Sequence, residues 1–91
     1  MSENILDNVS PENAFWASNG AIVKNLQELE PAIEYMDEDT FRNHVNEEKN
    51  DFSAWIASVL HDEKLAQDLS QTKDKTRTQL LIVKRVLEAH Q

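Results

Sequence analysis

The sequence contains no cysteine among its 91 residues. Disulfide scaffolds, zinc ribbons, iron–sulfur clusters and thiol nucleophiles are therefore excluded, and the absence is typical of proteins from a reducing cytosol. Glycine occurs once and proline twice, so the chain has no glycine-rich loop that could cradle a phosphate. These shortages exclude several common kinds of catalytic and cofactor-binding site.

Long apolar runs and targeting segments are also missing. The longest apolar runs are as short as Leu80-Leu81-Ile82-Val83, whereas a membrane-spanning helix needs about 18 or more apolar residues. The N-terminus is acidic and lacks the basic and apolar segments of a secretory signal. We therefore expect a cytoplasmic protein.

Basic residues are scarce, with 9 Lys and Arg against 17 Asp and Glu, so the net charge is −8. Residues 27–51 hold nine acidic and two basic side chains, whereas residues 72–91 hold five basic and two acidic ones. This balance argues against direct binding to the phosphates of nucleic acids. The acidic part predicts either a solvated surface or a docking surface for a basic protein, for which the candidates, here called the acidic cluster, are Glu34, Asp37, Glu38 and Asp39.

The first segment, residues 1–13, is predicted to be a flexible acidic tail from which Ile5, Leu6 and Val9 touch the domain. A single helical domain is expected over residues 14–91. The pair Asn19-Gly20 lies between short runs of aromatic and β-branched residues. It predicts a hairpin with a type I′ turn, with an extended arm as the alternative.

Apolar spacing predicts a mainly α fold, a compact bundle of four to five short helices. Asn25 followed by Glu28 predicts the start of the first helix, while Pro31 predicts a kink or a start nearer Glu30. The later helices are expected from Asp37 to about Asn46, from a cap at Asp51, from Asp62, and from about Lys73 to Ala89.

The histidines offer little metal chemistry. His44 and Glu48 are spaced to share a helix face, and His61 is followed by Asp62, but no pattern supplies three convergent ligands. The acidic residues lie in polar runs rather than in an apolar setting that would raise a carboxyl pKa. We therefore expect no metal, no cofactor and no catalytic residue, and hence not an enzyme.

The most informative segment joins the second and third helices. It is dense in hydrogen-bonding side chains close to aromatic residues. These polar groups are expected either to satisfy the backbone at the two helix ends or to form a small pocket for a peptide, an anion or a metal. The residues of this corner are His44, Asn46, Lys49, Asn50, Asp51 and Trp55.

The same segment carries a resemblance. The pattern F-x-x-H-V-N-x-x-K-N-D-F-x-x-W-I, from Phe41 to Ile56, resembles an uncharacterised family of small prokaryotic helical domains, described as a domain of unknown function. The resemblance extends upstream to Phe15 and is loose after Ser70. It implies a compact helical module, and it brings no activity, cofactor or catalytic residue.

These observations predict a small non-catalytic protein-interaction or adaptor module, monomeric or weakly dimeric. Its partner would be a protein bound in an apolar groove bordered by the acidic cluster, since the last helix has a wide apolar arc. Two alternatives remain open. The chain is either an acidic regulator that competes with nucleic acid for a basic protein, or a binder of a small ligand or metal at the His44 corner.

Overall fold

A short antiparallel hairpin precedes the helices. The computed structural model describes residues 6–89, so Ile5 lies outside the described residues. Strand β1 is Phe15–Trp16 and strand β2 is Ile22–Val23, with Phe15 opposite Val23 and Trp16 opposite Ile22. Because side chains alternate along a strand, Phe15 and Val23 are buried while Trp16 and Ile22 face outward. The predicted hairpin is therefore confirmed.

The hairpin turn differs from the predicted type I′ turn. Of the loop residues, only Gly20 has a positive φ, at 93°, whereas a type I′ turn requires positive φ at both central residues. Asn19 instead accepts the Ala21 N–H at 3.1 Å, and the Gly20 N–H donates to Ala17 O at 2.9 Å. The loop thus resembles three-residue hairpin loops, in which one left-handed glycine follows the turn.

Five α-helices make up most of the fold and confirm the mainly α class. Helix α3 continues directly into a π-helical turn, Ile56–Leu60. Within residues 6–89, no helix combines the length and apolarity required to cross a membrane. The helices are α1 (Leu26–Tyr35), α2 (Glu38–His44), α3 (Asp51–Trp55), α4 (Glu63–Ser70) and α5 (Lys75–Ala89).

Helix α1 begins where the Asn25 cap predicts. The Asn25 side chain accepts the Glu28 N–H at 2.9 Å, and Glu28 Oε1 accepts the Lys24 N–H at 2.8 Å. The helix passes through Pro31, so the alternative start near Glu30 is wrong. The two capping bonds satisfy donors at the helix start and offset the hydrogen bond that proline lacks.

The cap of α3 is Asn50, so the prediction of Asp51 is wrong. Asn50 Oδ1 accepts the Ser53 N–H at 3.0 Å, and Asn50 Nδ2 donates to Leu69 O at 2.9 Å. An amide can accept and donate at once, whereas a carboxylate only accepts. Asparagine therefore both caps α3 and ties it to the end of α4, and Asp51 becomes the first helical residue.

Two other helix ends differ slightly from the prediction. Helix α2 ends at His44 rather than near Asn46. Helix α5 begins at Lys75 rather than Lys73, because Asp74 Oδ2 accepts the Arg77 N–H at 3.2 Å. The Asp74 side chain thus sets the start of α5 by accepting a backbone N–H of its first turn.

The core is built on α1, which α5 crosses in the opposite direction. Lys75 Nζ donates to Glu34 O at 3.2 Å, and Gln79 Nε2 lies 3.5 Å from Glu30 Oε1, so the two helices are antiparallel. From the other side, α3 and α4 close the core. Its buried apolar side chains include Phe15, Val23, Leu26, Leu29, Ile33, Phe41, Phe52, Trp55, Ile56, Leu69 and Ile82.

Residues 6–13, which the sequence assigns to the tail, contact the domain. The Val9 N–H donates to Lys24 O at 2.8 Å beside strand β2. Leu6 and Val9 are partly buried against the core. Asn13 ends a 3-10 turn, and its carbonyl accepts the indole N–H of Trp55 at 2.7 Å. This segment therefore supplies the hydrogen-bond acceptor for the Trp55 indole.

Candidate interaction surface

His44 uses both of its ring nitrogens within the fold. Nδ1 lies 2.9 Å from Asp51 Oδ2, and Nε2 accepts the backbone N–H of Ser18 at 3.0 Å. These partners fit the neutral tautomer with hydrogen on Nδ1, which donates to the carboxylate. The imidazole therefore connects the hairpin, α2 and α3, and no nitrogen is free for a proton transfer or a metal.

Aromatic rings enclose the same histidine. The His44 ring lies 5.2 Å from the ring of Phe15, edge to face, and 5.4 Å from that of Phe52. Trp55 packs edge to face on Phe15 at 5.9 Å and is only 7% exposed. Such offset and edge-to-face pairs stabilise a core beyond simple burial. The aromatic residues of the corner thus pack inside the molecule rather than line an opening.

Asp51 is the charged centre of the corner. Its Oδ2 atom accepts from His44 Nδ1 and from Lys49 Nζ, the latter at 3.0 Å. Partial burial raises the pKa of Asp51, but the hydrogen bonds from His44 and Lys49 and the positive charge of Lys49 outweigh it, so the pKa falls below its ordinary 3.8. Asp51 is therefore an ionised carboxylate that accepts hydrogen bonds from its neighbours, not a proton donor.

The asparagines of the corner bond to the backbone. Asn46 Nδ2 donates to Arg42 O at 3.0 Å, and Asn46 Oδ1 accepts the Glu48 N–H at 2.9 Å. Throughout residues 6–89, every buried side-chain polar atom has a hydrogen-bond partner. The contacts of the corner therefore support its structural interpretation, since no buried donor or acceptor there awaits a ligand.

The corner does not have the geometry of a metal site. Over the described range, no group of three or more histidine and carboxylate side chains is placed to hold one ion. His61, the other described histidine, follows the π-helical turn with a left-handed φ of 59°. Its backbone thus ends that turn, in a conformation that few residues other than glycine adopt.

The acidic cluster divides into one structural residue and three free ones. Asp37 caps α2 by accepting the Thr40 N–H at 2.7 Å, and this bond from the Thr40 backbone lowers the pKa of Asp37. Glu38 and Asp39 lie in the first turn of α2. Within the described part of the chain, the carboxylates of Glu34, Glu38 and Asp39 form no hydrogen bond or ion pair, so they remain available to a partner.

An exposed apolar stripe runs along α5. Leu80 is 59% exposed, Val83 38% and Leu87 61%. Their spacing of three and four residues puts them on one flank of the helix. We call these three residues the α5 stripe. Contiguous exposed apolar surface of this kind marks interaction sites more often than single exposed side chains do.

The two borders of the α5 stripe carry opposite charge. Successive residues of a helix are about 100° apart around its axis, so the α5 stripe lies about 100–160° around α5 from the buried Ile82. On one side of the stripe is Gln79, at about 60°. On the other side are Lys84 and Arg77, at about 200–220°. Gln79 faces α1, whose acidic side chains on this side are the half-buried Glu30 and the exposed Glu34. Within residues 6–89, Arg77 and Lys84 have no side-chain partner, so one border is acidic and the other is basic.

Trp16 is an exposed aromatic residue that the sequence did not single out. Trp55 was a candidate residue of the corner, but Trp16 is the exposed tryptophan, with 65% of its surface accessible, and it lies beside the exposed Ile22. The alternation of a two-residue strand requires that one of Phe15 and Trp16 point outward. The sequence therefore required one exposed side chain in this strand but did not show which of the two it would be.

Comparison with known proteins adds a family but no activity. A family model described as "Family of unknown function (DUF5752)" matches residues 15–88. No curated protein and no solved structure matches the chain. The matched range begins at Phe15 in β1 and ends in the last turn of α5, so it contains the hairpin and all five helices.

Proposed function

We propose a function for a chain that belongs to the DUF5752 family of unknown function: it is a small, non-catalytic module that binds a helix of a partner protein along α5. The observation that carries this proposal is the α5 stripe. Leu80, Val83 and Leu87 are exposed at the spacing with which helices pack on one another. Burying such side chains is the main source of affinity in helix–helix association.

Charge specifies the partner further. The acidic border of the stripe, with Glu30 and Glu34 on α1, favours basic residues on the near flank of the partner helix. The basic border, with Arg77 and Lys84, favours acidic residues on its far flank. A partner helix with an apolar stripe between flanks of opposite charge therefore fits this face best.

Two features support this function over the alternatives. His44 has both nitrogens engaged by Asp51 and Ser18, which leaves neither nitrogen free as a base or a metal ligand. The positive charges of Arg77 and Lys84 beside the stripe do not favour a surface that imitates nucleic acid. The absence of cysteine fits a cytoplasmic place of action.

Affinity capture with matched variants tests the proposal. The purified chain is immobilised, and extract of the source organism is passed over it at low and high salt. The test variant replaces Leu80, Val83 and Leu87 with serine. The control replaces Tyr35, which is 86% exposed and lies about 100° around α1 from Glu34, with serine.

We expect a protein that the wild type and the Tyr35→Ser control capture and the triple stripe variant does not. Circular dichroism should show that all three chains are equally folded, because the replaced side chains are exposed. Identical capture by the control and the stripe variant would contradict the proposal, as would the absence of any captured protein at either salt concentration.

A further inference from the structure

We propose that the partner helix is α5 of a second copy of this chain, and that two copies pair through the α5 stripe in a parallel two-fold arrangement. This inference rests on the proposed function, because it uses the same face. It adds the identity of the partner and the direction of its helix. Closed two-fold pairs are the commonest assemblies of identical soluble chains.

A second copy of the chain can place opposite charge against each border of the α5 stripe. The border toward α1 holds Glu30 and Glu34, with Lys75 beside them through its bond to Glu34 O. The opposite border holds Arg77 and Lys84, which have no side-chain partner in the described residues. The face thus presents an excess of negative charge on one side of its apolar centre and an excess of positive charge on the other.

Symmetry decides which borders meet. When the two-fold axis is parallel to α5, the two α5 helices run in the same direction, and the acidic border of each copy faces the basic border of the other. When the axis is perpendicular to α5, the helices are antiparallel and each border faces its own counterpart. The second arrangement opposes like charges, so charge complementarity selects the parallel pair.

The position of the charges along the helix supports the same choice. Lys75 bonds to Glu34 O and Gln79 lies beside Glu30. Arg77, between them in sequence, is therefore level with the turn of α1 that joins Glu30 to Glu34. In a parallel pair in register, Arg77 of each copy faces these two carboxylates of the other copy, and each residue of the stripe meets its own counterpart.

Single-cysteine variants test the arrangement, because the natural chain has no cysteine to react. Thr76 lies on the same flank before the stripe, at about 120° from Ile82, and Leu87 ends the stripe. Thr76→Cys and Leu87→Cys are each tested alone and then as a mixture of the two single variants, with Tyr35→Cys as the collision control. Each is oxidised at micromolar concentration and run on a non-reducing gel.

A parallel pair brings each new thiol next to its own counterpart. We expect Thr76→Cys alone and Leu87→Cys alone to form disulfide-linked dimers several-fold faster than Tyr35→Cys. An antiparallel pair would join the two variants only when they are mixed, and that result would overturn the inference. Equal rates for all three variants would also overturn it, because they would indicate random collision.

Sedimentation of charge variants gives a second, independent readout. One variant carries Glu30→Lys and Glu34→Lys, and the other carries Arg77→Glu and Lys84→Glu. We expect each alone to dimerise about tenfold more weakly than the wild type, and their equimolar mixture to recover the wild-type affinity. A wild type that stays monomeric at about 1 mM would overturn the self-pairing. The capture experiment would still decide whether the face binds another protein.

Discussion

The imidazole of His44 donates to the carboxylate of Asp51 over 2.9 Å, and this bond joins the last residue of α2 to the first residue of α3. The same ring accepts the Ser18 N–H at 3.0 Å, so the hairpin is fixed to the corner as well. The residues that look most like a functional site in the sequence thus hold three elements of the fold together.

His44 should accordingly be important for stability. Replacing it with alanine leaves the Ser18 N–H and the Asp51 carboxylate short of a partner and removes a ring from the aromatic core. We expect His44→Ala to lower the free energy of unfolding by about 2–4 kcal/mol. Urea unfolding followed by circular dichroism measures this change. Lys49→Ala is the matched control, and because Lys49 is half exposed we expect it to cost under about 1 kcal/mol.

Asp51 predicts how stability depends on acidity. Since its pKa is lower in the folded chain than the ordinary 3.8, its bonds stabilise the fold above that pH, and the stabilisation is lost as the pH falls through the folded value. Asp51→Asn lacks this contribution. We expect the wild type to exceed the variant in unfolding free energy by a constant amount near pH 5, and the difference to shrink below about pH 4. A difference that stays constant down to a pH of about 2 would contradict the lowered pKa of Asp51 as the source of the stabilisation.

The two tryptophans make a matched pair with opposite expectations. Trp55 is 7% exposed and Trp16 is 65% exposed. We expect Trp55→Ala to cost about 3–5 kcal/mol, enough to unfold a domain of this size, and Trp16→Ala to cost under about 1 kcal/mol. Thermal unfolding measures both. The fluorescence of Trp55, the tryptophan that remains in Trp16→Ala, should be blue-shifted as expected for a buried indole. Equal destabilisation would contradict the placement of the two rings.

The ion pair between Asp62 and Arg85 should stabilise the packing of α4 against α5. Asp62 is buried, caps α4 through the Leu65 N–H, and accepts from Arg85 Nε on α5. Arg85→Ala leaves a buried carboxylate with one partner fewer, and we expect a loss of about 2–4 kcal/mol in urea unfolding. The neighbouring Lys84→Ala, at an exposed position without a side-chain partner among residues 6–89, should change stability by under about 0.5 kcal/mol.

Much of the fold follows from local sequence patterns, since these act within a few residues. The Asn25, Asp37 and Asp62 side chains each accept from an N–H three residues ahead, and the sequence alone identifies such caps. The choice of Asn50 over Asp51 did not follow, because it depends on the Leu69 carbonyl, which only the tertiary fold brings close.

The candidate site was predictable only in part. The wide apolar arc of α5 fitted either a helix central in the fold or one with a flank left for a partner, and which of these holds depends on how α1 and α4 pack against it. The chemistry of the corner suggested a pocket, whereas the fold supplies partners for its polar atoms from Ser18, Asn13 and Leu69. These partners are distant in sequence, so no local pattern could show that the corner is satisfied.

Amide chemical shifts of the labelled wild type, recorded from about 10 µM to about 1 mM, test most directly whether two copies of the chain pair through the α5 stripe. The account predicts concentration-dependent shifts centred on residues 76–87 of α5 and on the Glu30–Glu34 turn of α1, with little change in the 44–51 corner. Shifts centred on that corner or on the hairpin, or spectra that do not change with concentration, would contradict it.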